Sequence, residues 1–88
     1  IIKYILIEGL NDNQEEIIKW LDLCKKLGVG TLHPTIEFCH SATNPSKIGP
    51  SEHICVMYNF MKNKIIEYGF RLNTYDFVEK MVENRSYR

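Results

Sequence analysis

Two kinds of periodicity alternate along this chain. The opening run Ile1-Ile2-Lys3-Tyr4-Ile5-Leu6-Ile7 is β-branched and aromatic and ends at Gly9. It does not alternate polar with apolar, so both faces read as apolar, the pattern of a parallel strand covered on both sides. With both sides covered, Ile5→Asp is expected to abolish folding or solubility, since a buried unpaired carboxylate costs several kcal/mol. A turn cluster comes next at Gly9-Leu10-Asn11-Asp12-Asn13, where Asp12 or Asn13 can cap a helix whose first turn carries Glu15 and Glu16. That helix is predicted to reach Leu27. Its stripe is Ile17, Trp20, Leu21, Cys24 and Leu27, its last turn holds Lys25 and Lys26, and Gly28 ends it.

A second extended run covers Thr31 to Phe38, with Pro34 inside it. Proline lacks the backbone donor, so an edge position, a bulge or an irregular strand is expected there. Cys39 to Pro50 reads as a loop from its Ser, Thr, Asn, Gly and Pro content. Ser51 is placed to cap a long helix carrying Ile54, Met57, Tyr58, Met61, Ile65 and Tyr68, stopped by Gly69. Phe70 to Tyr75 reads as a third strand and Phe77 to Val82 as one or two helical turns. The tail Glu83 to Arg88 is expected to fray.

Strand, helix, strand, helix, strand is the signature of parallel α/β structure, here a single β-α-β-α-β unit over residues 1–88. Crossovers of this kind are right-handed, so strands lying in chain order put both helices on one face of the sheet. The other face is then bare, which parallel sheets seldom tolerate. The chain is therefore expected to be a partial domain belonging to a larger sheet or barrel, or to dimerise through its uncovered face.

Composition narrows the function. Eleven basic and eleven acidic side chains cancel, leaving no basic field to recruit nucleic acid or anionic lipid. No apolar run approaches the roughly 20 residues that span a bilayer, so neither membrane nor nucleic acid is an expected partner. Cys24, Cys39 and Cys55 are odd in number and widely spaced, which points to a reducing cytoplasm. Cys24 and Cys55 fall on helices as small core residues.

In parallel sheets and barrels, ligands bind at the carboxyl ends of the strands. Three places qualify: Glu8, Gly9, Asn11 and Asp12 after the first strand; Glu37, Cys39 and His40 after the second; Tyr75 and Asp76 after the third. A carboxylate ending each strand can orient a polar ligand or move a proton. The same residues also serve as ordinary turn formers and caps, with Asp76 a plain N-cap and Glu37 a solvent-facing strand residue. Glu37, Cys39, His40 and His33 are metal-ligand types, but they lack paired spacing, and neighbours on an extended backbone point apart, so no metal site is expected. No catalytic group is assignable from the residues alone.

The run Ile2-Lys3-Tyr4-Ile5-Leu6-Ile7-Glu8-Gly9-Leu10-Asn11-Asp12-Asn13, continuing into Glu15-Glu16-Ile17, resembles a segment of the radical SAM superfamily. There an apolar strand late in the partial (β/α) TIM barrel ends in a glycine and an Asn-Asp turn before a helix with an acidic first turn. The continuation Trp20 to Val29 and the strand ending Ile36-Glu37-Phe38 are similar to the next helix and strand of that family, whereas over residues 51–78 only the helix-then-strand order matches. The resemblance implies a C-terminal fragment of a barrel whose parent cleaves S-adenosylmethionine reductively at a 4Fe-4S cluster to begin radical chemistry on a small-molecule or peptide substrate. The cluster motif CxxxCxxC is missing here, and the family places it upstream. The fragment is thus expected to be inactive and cluster-free alone, its partner being the N-terminal half of the same barrel. Ile7, Glu8 and Gly9 would approach the cofactor, and Asn11, Asp12 and Glu37 would face substrate. Two rivals remain beside it: a small non-catalytic α/β module that dimerises, and a piece of an unrelated (β/α) barrel enzyme.

Overall fold

The computed structural model describes residues 1–37 and 50–86; Cys39, His40 and the rest of residues 38–49, expected to be a loop, and the last two residues lie outside the described residues. Three parallel strands and three helices alternate: β1 (Ile2–Leu6), α1 (Gln14–Leu27), β2 (Thr31–Ile36), α2 (Glu52–Glu67), β3 (Arg71–Leu72) and α3 (Asp76–Ser86). The strand order is β1-β2-β3, the order of the chain. In register, Ile2 stands beside Leu32, Ile5 beside Thr35 and Leu6 beside Ile36. The architecture is α/β with a parallel sheet, as the sequence predicts.

Local chemistry sets the element ends. Asn13 caps α1, its side chain accepting from the Glu16 N–H at 2.9 Å, and Ser51 caps α2 through the Ile54 N–H at 3.2 Å. Gly28, at φ 72°, closes α1: its N–H donates to the Lys25 carbonyl and the next N–H, of Val29, to Cys24. A side chain at that φ would be strained, which is why glycine stands there. Gly69 and Phe70 end α2 with the same pair of bonds, to Ile66 and Ile65.

The helices form one layer. α1 and α2 touch each other, α3 packs on α2, and Ile17, Leu21, Cys24, Tyr58, Met61, Ile65, Val78 and Val82 join Leu6, Leu32 and Ile36 in one core. Each fully buried aliphatic side chain there contributes on the order of 2 kcal/mol. Lys62 and Glu79, 2.8 Å apart, tie α2 to α3 at the edge of this layer.

Four expectations are corrected. Leu27 is 64% exposed; at 100° per residue it falls roughly 80° from the centre of the α1 stripe, past the core-facing arc. Pro34, by contrast, lies in the central strand but beyond the end of β3, where that side of β2 has no neighbour, the edge position expected of it. The Gly30 and Leu32 carbonyls accept from Arg71 and Asn73, and in a parallel ladder the next rung on that side would be donated by residue 34. Proline cannot donate it. That same absence shortens the third strand from the six residues expected to Arg71–Leu72. Asp76 is the first residue of α3, and the helix continues to Ser86 where fraying was expected. Finally, Ile5 is 46% exposed, because the sheet has helices on one face only. Its replacement by aspartate therefore need not unfold the chain.

Candidate functional site

The open face of the sheet is where side chains converge without being consumed by the core. Period two puts Lys3, Ile5 and Ile7 of the first strand on it, with Thr35 and Glu37 from the second. A groove of about 530 Å³ runs over them, walled on the far side by Tyr75 and Phe77 at the start of α3. The two rings stack with centroids 5.4 Å apart. Lys3 Nζ donates to the Tyr75 hydroxyl at 2.6 Å and lies 5.2 Å from the ring centre. Beneath Tyr75, its ring 4.3 Å away, lies the buried His33. Burial holds the His33 imidazole below its ordinary 6.5, and the Lys3 ammonium pushes in the same direction. Its Nε2 has no hydrogen-bond partner among the described residues.

Residues expected at the strand ends divide between this groove and its rim. Ile7 and Glu37 come together: the Glu37 N–H donates to the Leu6 carbonyl at 3.1 Å, and both residues line the groove. Glu8 and Gly9 are exposed in the turn, Gly9 at φ 79°, with the Ile7 carbonyl accepting from the Leu10 and Asn11 N–H groups. Asn11 lies away from the groove. Its Oδ1 accepts from the Ile7 N–H at 2.8 Å and its Nδ2 donates to the Ile5 carbonyl at 2.9 Å. Because the Leu6 carbonyl points at β2, Ile5 and Ile7 present these groups on the outer edge of β1, so the side-chain amide of Asn11 stands in for a neighbouring strand. The Tyr4 hydroxyl donates to the Asn11 carbonyl at 2.9 Å and fixes the turn further.

Asp12 is turned toward α2, where His53 Nε2 lies 3.2 Å from its carboxylate and 2.7 Å from its backbone carbonyl. The sequence reading passes over His53. Its signal is topological: in a β-α-β unit the N-terminus of the helix after one strand lies near the turn after the preceding strand, so residue 53 belongs on the same rim as Asp12. It passes over Lys3 as well, although Lys3 shares a strand face with Ile5 and Ile7. Neither a group of three or more metal-ligand side chains nor a membrane-length apolar helix occurs among the described residues.

Comparison with protein-family models, with curated proteins and with solved structures finds no match to this chain.

Proposed function

We propose that this chain is the C-terminal part of a radical SAM barrel, whose parent cleaves S-adenosylmethionine at a 4Fe-4S cluster. The observation that carries the reading is the winding. Strands in chain order, α1 and α2 on one face and an opposite face open but for the start of α3 are compatible with one arc of a (β/α) barrel, with the open face as its interior. The opening strand, its glycine, its Asn-Asp turn and the acidic helix start supply the resemblance to that family in particular.

Among the described residues, neither cysteine fits the cluster. Cys24 and Cys55 are buried in the layer between sheet and helices, and burial pushes the Cys24 thiol above its ordinary value, away from the thiolate a metal needs. On this proposal the cluster ligands belong to another part of the parent, in the family's CxxxCxxC motif. For the nucleoside, Ile7 offers an apolar wall at the carboxyl end of β1. Its N–H and carbonyl are occupied within the turn, so contact there is by packing, with Glu8 and Gly9 alongside. Glu37, across from Ile7, faces the substrate side.

The test is to read the coding sequence upstream of Ile1. An in-frame CxxxCxxC some strands earlier is expected, and the longer chain, reconstituted anaerobically with iron and sulfide, is expected to release 5′-deoxyadenosine from S-adenosylmethionine. A start codon directly before Ile1 overturns the proposal. Exposed Ile5 and Phe77 favour a second reading, a module that pairs with its own copy through the open face; sedimentation of the 88-residue chain as a dimer would support it.

A further inference from the structure

The groove has two unlike ends. Lys3 stands at one, its ammonium steered by the Tyr75 hydroxyl with further N–H groups left for a ligand. Glu37 stands at the other, exposed, four residues further along the sheet in register. At about 3.3 Å per residue along the strands and about 4.8 Å between them, the two Cα positions are roughly 14 Å apart. Between them the surface is mainly apolar: Ile5, Ile7 and the largely buried Thr35 on the floor, Phe77 and the face of Tyr75 on the wall. A floor of this kind rejects a uniformly charged ligand, and a purely apolar one leaves both end charges unanswered.

We infer that the groove binds a short apolar peptide of about three residues with both termini free, its carboxylate at Lys3 and its ammonium at Glu37. An extended tripeptide spans about 10 Å, which leaves each terminus a few ångströms short of the two Cα positions and within side-chain reach of them. Lying along the strands, it places one or two aliphatic side chains against Ile5 and Phe77. This rests on the reading above only in making the groove the substrate side of the parent; the charge polarity and the apolar floor belong to the chain itself.

The experiment titrates the 88-residue chain with alanyl-leucyl-alanine, monitored by amide chemical shifts. Shifts are expected at Ile5, Thr35 and Phe77, with Leu23 on the far side of α1 unmoved. Amidating the peptide's carboxylate and acetylating its amine are each expected to weaken binding about fivefold, the upper range for an exposed ion pair. In Lys3→Ala the amidation effect should vanish while the acetylation effect persists, and Glu37→Ala should show the reverse. Both residues are exposed and outside the core, so both variants retain the wild-type spectrum elsewhere, apart from Tyr75 and the His33 beneath it in Lys3→Ala. Shifts confined to other surfaces, no saturable shift at millimolar peptide, or blocking effects indifferent to the two variants would each overturn the proposal. The upstream coding sequence decides the barrel reading separately, so either can fail while the other stands.

Discussion

The two faces of one strand behave as if they belonged to different proteins. On β1, Leu6 is fully buried beneath α1 and α2, with Tyr4 and Ile2 beside it and Trp20 packed on Tyr4 at 4.7 Å. One residue away, Ile5 looks out from the sheet through 46% of its surface. Both are aliphatic, both lie in the same ladder, and only the presence of a covering layer separates them. The folding free energy of this chain is thus concentrated in one slab between sheet and helices. The other side carries the groove, with His33 and Thr35 buried along it.

That contrast is sharpest in a pair of identical substitutions. Leu6→Asp buries an unpaired carboxylate and is expected to cost several kcal/mol, on the order of the total stability of a domain this size, leaving no cooperative urea transition. Ile5→Asp places the same group at a half-wetted position and should keep the transition, with a loss of about 1 kcal/mol or less. Equal losses at both positions would mean that the open face is covered in solution. The next effect compares two leucines of α1. Leu21→Ala removes a fully buried side chain and should cost about 2–5 kcal/mol in the denaturation midpoint analysis, whereas Leu23→Ala, 54% exposed, should fall within about 0.5 kcal/mol.

Smaller again is Asn11→Ala, which strips the surrogate rung from the edge of β1. A loss of about 1–2 kcal/mol is expected, with hydrogen exchange at the Ile7 amide accelerated more than at the paired amides of β2. The smallest difference is electrostatic. The folded His33 imidazole binds its proton less readily than in the unfolded chain, so the unfolded state carries more protons once the pH drops below about 6.5. Stability should be complete above that value and decline as the pH falls toward the lower folded value. In His33→Gln this part of the decline should disappear; an unchanged difference between melts at neutral and acidic pH would contradict the buried, neutral imidazole.

The features legible in the sequence are the local ones. Asn13, Ser51, Gly28 and Gly69 mark helix ends by chemistry within a few residues of themselves, and the stripes of α1 and α2 arise from a period of 3.6. The parallel order and the bare face come from the handedness of crossovers, and with them the meeting of Ile7 and Glu37. The illegible features depend on residues far apart. The exposure of Ile5 depends on the material across the sheet and not on its neighbours in the chain. Asp12 and His53 are 41 positions apart, and the end of β3 is dictated by a residue on another strand. Asn11 reads as a turn former either way; that its amide also guards a strand edge is visible only once the direction of each carbonyl is known.

Pro34 has a consequence beyond the length of a strand. With no amide to hold the Asn73 carbonyl, the chain leaves the sheet plane two residues before Tyr75, early enough for the phenol ring to fold across and settle over His33. One imino acid in the middle of the sheet thereby decides where an aromatic lid comes down, and hence which imidazole is hidden and where the Lys3 ammonium is anchored.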